Sequence, residues 1–204
     1  MATALVTTLG RSSIVKRLLN TYSTPSAIPK YIAWGTGAGE TDPSDQGLFV
    51  EVISDGRANG TAIATTTTTT GDTYQVIGTL TAGTNETITN VGLFDSASTP
   101  YQTTLASPVT SATQTLITVA TSGNIGTIPA TQFNIQVSTE VMTVTGVSGA
   151  NWSVTRAANN PLASIAASTV VQSVSGNLFA KANFGNLPLT SGDSIYFIIN
   201  VQFQ

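Results

Sequence analysis

The sequence contains no histidine and no cysteine, and only 8% of its 204 residues are charged. Each shortage excludes something. Without cysteine there are no disulfides and no thiolate chemistry. Without histidine the commonest general base is missing, and with it the Ser-His-Asp and Cys-His arrangements and the usual zinc sites. No apolar run is long enough to span a bilayer. Residues 1–10 carry neither a basic n-region nor a cleavable apolar stretch, so no secretion signal is recognisable. Net charge is −3 and the seven Lys and Arg form no binding strip, which argues against nucleic acid as the main partner. Asn59-Gly60-Thr61, Asn85-Glu86-Thr87 and Asn151-Trp152-Ser153 match the glycosylation sequon, but a threonine-rich chain without a signal yields such matches by chance.

Threonine, serine, asparagine and glycine stand where charge is missing. Hydrophobic residues make up 41%, so this is not the composition of a disordered chain. Threonine is β-branched and prefers strands, while glycine and asparagine favour the turns between them. The composition therefore predicts an all-β protein, long enough for one large domain or two small ones. A surface so poor in charge tends to associate. It is either rich in hydroxyls or covered by partner subunits, and an assembled protein is the expectation.

The spacing of Ile14, Val15, Leu18 and Leu19 predicts a helix over residues 12–20, with Ser12 or Ser13 as N-cap. Its apolar side is expected on the sheets, with Lys16 and Arg17 outward. Pro25 and Pro29 then break structure. Strands are predicted over 31–35, 48–53, 87–94 and 177–184, with a glycine-rich loop at Gly35-Thr36-Gly37-Ala38-Gly39 that continues through Asp42-Pro43-Ser44-Asp45. Residues 61–70 and 73–80 read as a hairpin closed at Gly71-Asp72, the threonine run from Thr65 lying in its first strand. At the end, Ile195, Phe197, Ile199, Val201 and Phe203 alternate with Tyr196, Ile198, Asn200 and Gln202, the mark of a strand with one apolar face.

Between 108 and 173 the texture changes. Leu116-Ile117-Thr118-Val119, Phe133-Asn134-Ile135-Gln136-Val137, Val141-Met142-Thr143-Val144-Thr145 and Trp152-Ser153-Val154-Thr155 are short strands at near-regular spacing. They predict a small β domain, 108–173, inserted in a loop of a discontinuous β domain made of 1–107 and 174–204. One continuous sandwich is the competing reading.

The chemistry is sparse. The glycines of 35–39 form neither a dinucleotide fingerprint nor a phosphate loop, and read as a tight turn. Ser13-Ile14-Val15-Lys16 matches an S-x-x-K motif whose partner motifs are absent. Asp42, Asp45, Glu51 and Asp55 could supply an acid pair for glycoside hydrolysis or loop ligands for calcium. Yet the three aspartates sit where turns want aspartate, and Glu51 has Arg57 across a predicted turn as a structural ion-pair partner. No catalytic residue, metal site or cofactor is assigned, and no enzyme is expected. Alternation puts Ile32 and Trp34 on the core face of their strand and Tyr31 at a rim or interface. Trp152 is expected to anchor the second domain. Arg11, Lys16 and Arg17 cluster as candidate interface residues beside Tyr31; the plainer reading is the solvated face of a short helix.

A resemblance covers most of the chain. Its elements are Ser12-Ser13-Ile14-Val15-Lys16-Arg17-Leu18, Tyr31-Ile32-Ala33-Trp34-Gly35-Thr36-Gly37, Leu48-Phe49-Val50-Glu51 with Arg57, Asp72-Thr73-Tyr74-Gln75-Val76-Ile77-Gly78-Thr79, and Ile88-Thr89-Asn90-Val91-Gly92-Leu93-Phe94-Asp95. Gly176-Asn177-Leu178-Phe179-Ala180-Lys181 through Gly192-Asp193-Ser194-Ile195 completes them. In this pattern the chain resembles small virion structural proteins of tailed bacteriophages. In shorter members the Leu-Phe-Asp strand leads almost directly to the ending, which implies the insertion. Glu140-Val141-Met142-Thr143-Val144-Thr145-Gly146-Val147 with Trp152-Ser153-Val154-Thr155-Arg156 is similar to a small β module of phage structural proteins, except that Ala157-Ala158-Asn159 replaces a glycine-rich turn.

The resemblance implies a sandwich or barrel-like main domain with one short N-terminal helix, plus the inserted β module. It implies a capsid decoration, or cement, protein that binds the major capsid protein on the outside of the assembled head as a homotrimer, with residues 1–20 and Tyr31 as contacts. Its insert would project outward toward a host surface glycan. Nucleic acid and membrane are not among the implied partners, and assembly would take place in the host cytoplasm. A tail, baseplate or fibre-base component is the alternative.

Overall fold

Thr7 starts the helix, five residues ahead of the expected Ser12. The computed structural model describes residues 4–19, 27–37, 39, 41–130, 132–156 and 161–203; the expectations for 1–3, for Asn20, for the break at Pro25 and for the loop at Ala157-Ala158-Asn159 lie outside them. In chain order the elements are β1 (Leu5–Val6), α1 (Thr8–Leu18), β2 (Tyr31–Thr36), β3 (Val50–Glu51), β4 (Ala58–Asn59), β5 (Thr61–Thr65), β6 (Thr73–Thr81), β7 (Glu86–Phe94), β8 (Gln102–Thr104), β9 (Leu116–Thr118), β10 (Phe133–Val137), β11 (Glu140–Ser148), β12 (Asn151–Thr155), β13 (Val170–Ser173), β14 (Leu178–Leu189) and β15 (Ser194–Gln202). The protein is mostly β, in three antiparallel sheets, with one N-terminal helix.

The chain divides into two compact units, Met1–Ser98 with Gly176–Gln204, and Thr99–Ser175. The second begins ahead of the expected 108 because β8 hydrogen-bonds to β13 and so belongs to that unit's sheet.

In the first unit one sheet runs β1-β14-β7-β2-β3, with β4 also on β2, and the other runs β15-β6-β5. Gly60 alone separates β4 from β5, so one stretch of chain leaves the first sheet and enters the second. A side chain at Gly60 would meet the carbonyls of Lys30 and Ile77. Ile32, Trp34, Val76, Leu80, Ile88, Leu93 and Val201 fill the space between the sheets. Trp34 meets Phe197 edge-on with ring centroids 6.3 Å apart, and Tyr74 meets Phe179 at 6.2 Å. In β15 Ile195, Phe197, Ile199 and Val201 turn to the core and Tyr196 and Ile198 to the outside, as expected, but Phe203, expected on the apolar face, lies past the end of the strand and is exposed.

The two most distinctive stretches of the sequence are neighbours. β2 and β7 pair from Tyr31 with Phe94 to Gly35 with Asn90. The Thr89 hydroxyl donates to the Gly37 carbonyl at 2.6 Å and the Asn90 amide to that of Thr36 at 3.2 Å, so one motif latches the glycine-rich loop of the other. Asp95, closing the second motif, accepts both the backbone and side-chain N–H of Asn177 at 2.7 Å.

Two local expectations are corrected. Of the threonine run only Thr65 is in a strand; residues 66–70 form the hairpin loop. The Asp72 carboxylate accepts the backbone N–H of Thr67, Thr68 and Thr69 at 2.8–2.9 Å, and these bonds hold its pKa well below the usual carboxylate range. An ionised acceptor for three amides outweighs the strand preference of exposed threonines. The predicted strand 48–53 shrinks to Val50–Glu51, because Leu48 and Phe49 are buried outside the ladder.

In the second unit the order is β8-β13-β10-β11-β12-β9. The Ala106 N–H donates to Thr118 and that of Ala120 to Thr104, both at 2.8 Å, and these bonds join the first and last strands so that the sheet closes on itself. Trp152 is fully buried between Tyr101 and Phe133, with ring centroids at 6.0 and 5.7 Å.

Candidate functional site

With so few charges, where they go is informative. Arg57 grips Glu51 through two bonds of 2.7 and 2.9 Å and lies 3.7 Å over the Phe94 ring. The pair expected from the sequence is therefore structural, and both side chains are buried. Burial pushes the Glu51 carboxyl up and Arg57 opposes the shift. The second unit repeats the arrangement: Arg156 holds Glu140 at 2.7 and 2.6 Å and donates to the carbonyls of Ser111 and Leu162. Lys181, fully buried, reaches Asp45 at 2.9 Å over the Phe49 ring. Burial lowers its pKa and Asp45 opposes this.

Three of the seven basic residues thus hold the interior together, and the remaining four are Arg11, Lys16, Arg17 and Lys30. The first three lie exposed on α1, and Lys30 immediately precedes β2. The Thr7 hydroxyl caps α1 by accepting the Gly10 N–H at 3.0 Å, and itself donates to the Leu178 carbonyl. Lys16 and Arg17 occupy the last turn, where cations complement the helix dipole. The Arg17 guanidinium donates to the Ala27 carbonyl at 2.8 Å.

The helix does not bury the face its periodicity suggested. Gly10 and Ser13 are its buried residues, and Ile14 packs on the main core from the side. A Cβ on Gly10 would collide with the Phe179 carbonyl oxygen of β14, so glycine is what permits this approach. Val15, Leu18 and Leu19, expected inside, are 52%, 81% and 65% exposed. Two small residues three apart, Gly10 and Ser13, are the sequence signal of close packing on that side. The outer side of α1 therefore combines three apolar side chains with Arg11 and Lys16, while Arg17, one turn on from Ser13, follows the seated side and bonds the Ala27 carbonyl.

Tyr31 does not join them. It is half-buried on the other face of β2 from Trp34, packed beside Ala33, Leu48, Phe94 and Leu178, with the Lys30 ammonium 5.8 Å over its ring. The candidate interface of the sequence thus splits: Arg11, Lys16 and Arg17 share one helix, and Tyr31 belongs to a small core.

The loop carboxylates are engaged by their own surroundings. Asp42 accepts the Ser44 N–H at 2.7 Å, and Asp55 accepts from Trp34 Nε1 at 2.9 Å and from the Gly83 N–H at 3.0 Å. Among the described residues no three acidic groups gather in a way that could hold a metal ion, and no helix is long and apolar enough to cross a membrane. Comparisons with known protein families, curated proteins and solved structures find no match.

Proposed function

We propose that this protein is a virion structural component of a tailed bacteriophage, and foremost a capsid decoration protein that clamps the assembled head from outside. The observation that carries a binding role is the outer side of α1: Val15, Leu18 and Leu19 exposed together, beside Arg11 and Lys16, in a chain that turns three of its seven cations inward. Clustered apolar exposure with charges of one sign at its edge is the composition of a contact surface. The resemblance of its motifs to those of phage structural proteins supports the major capsid protein as the partner, and a symmetric oligomer, in first place a homotrimer, multiplies each contact. No cofactor is involved. Many shallow, repeated contacts suit the task, since internal pressure must break them together.

The test is direct. Purified protein is added to undecorated heads and to isolated tails of the phage, and binding is measured by co-sedimentation. High-copy binding to heads supports the proposal; binding to tails alone assigns the protein to the tail or baseplate, and binding to neither removes both. Exposed cations on the helix make the affinity fall as salt is raised from about 50 to 500 mM.

A further inference from the structure

The two units end their sheets differently. The second closes on itself through the bonds between residues 104–106 and 118–120. The first does not close. β15 hydrogen-bonds to β6 on one side and, among the described residues, to no strand on the other. Facing it across the opening, β14 is covered by β1 only at Ala180 and Lys181. A cleft of about 440 Å³ lies between these two edges, floored by Val91 and Ala182 and flanked by Phe197 and Ile199.

Its chemistry is specific. β15 spans nine residues, Ser194–Gln202, without a lysine, a proline or any charge, so it carries none of the devices that protect exposed edges from pairing. Backbone donors and acceptors along such an edge call for a ligand that offers its own backbone. The lining contributed by β14 is small and apolar, because Ala180 and Ala182 carry only methyl groups. The lining holds one ionisable residue, Lys181, and its charge is already answered by Asp45 at 2.9 Å. An incoming charge would meet no counter-charge here and would lose its water.

We propose that this opening is a strand-accepting slot, and that its ligand is an extended, uncharged segment of a partner polypeptide, with small or β-branched side chains toward Ala182 and Val91, which pairs with the free edge of β15. Recognition by strand addition takes affinity from main-chain hydrogen bonds and specificity from alternate side chains. The proposal is separate from the reading of α1, and either can fail alone.

The experiment uses the full chain and a synthetic peptide of alternating valine and threonine with two terminal lysines for solubility, followed by calorimetry and by amide hydrogen exchange. Saturable binding that slows exchange at residues 195–201 is the expected result. The same peptide N-methylated at alternate residues, which removes donors but keeps the side chains, binds at least roughly tenfold more weakly. Ala182→Trp, which fills the floor, abolishes binding, whereas Leu18→Ser on α1 leaves it unchanged. Equal binding of both peptides makes the cleft a site for apolar side chains alone and overturns the proposal. So does absence of binding. Dimerisation of the free protein that Ala182→Trp abolishes assigns the slot to a second copy, and binding only by a variant lacking residues 1–3 assigns it to the chain's own N-terminus; both overturn it.

Discussion

Trp34 Nε1 donates to Asp55 Oδ2 at 2.9 Å, so the largest side chain of the main core ends on a carboxylate in the turn between β3 and β4. Asp55 Oδ1 also accepts the Gly83 N–H at 3.0 Å, which ties that turn to the one leading into β7. Glu86, the first residue of β7, lies against the same carboxylate.

Glu86 makes stability fall with rising pH. Burial, then the hydrogen bond and charge of Asp55, push its carboxyl up to about 7. A raised folded-state pKa means that between about pH 4.5 and 7 the native protein keeps a proton the unfolded chain has lost, so stability declines across that window and levels above it. The other carboxylate on the turns packed there is Asp193, which is held by Thr190. Urea midpoints measured from pH 4.5 to 8 should fall, and Glu86→Gln should flatten the curve. A wild-type midpoint constant over this range would refute the assignment.

Breaking the Glu51–Arg57 pair on one side is costly. Arg57→Met leaves a buried carboxylate without its counter-ion and should lose about 3–5 kcal/mol. Glu51→Gln combined with Arg57→Met should be less destabilised than Arg57→Met alone, since no bare charge remains. A double-mutant cycle by chemical denaturation reads the coupling, and simple additivity would show that the pair does not act as a unit.

Gly10→Ala tests how α1 is seated. The added methyl meets the Phe179 carbonyl, and the helix must lift from β14, at about 1–3 kcal/mol. The helix propensity of alanine would by itself favour the change by about 1 kcal/mol. A stabilised Gly10→Ala variant would therefore mean that the helix does not rest on β14 through this residue.

Leu18→Ser separates stability from binding. At 81% exposure Leu18 contributes little to the fold, so thermal stability should stay within about 0.5 kcal/mol of wild type. Head binding should drop together with that of an Arg11→Glu, Lys16→Glu variant. Loss of stability instead would place Leu18 in the folded core and remove the helix face as a contact surface.

Threonine-rich composition and period-two patterning determined the all-β class. Short-range spacing determined the terminal strand, the core position of Trp34 and the pairing of Glu51 with Arg57, because these depend on residues near in sequence or on alternation along one strand. Periodicity announced a helix with an apolar side but not whether anything would cover it. That was decided by β14, whose backbone comes so close at Gly10 that the helix sits on its small residues and leaves Val15, Leu18 and Leu19 outside. Tertiary structure alone joined Lys181 to Asp45 and Trp34 to Asp55, and left one sheet open at β15 while the other closed. Such contacts bring together segments distant along the chain, and local preference carries no information about which of them will meet.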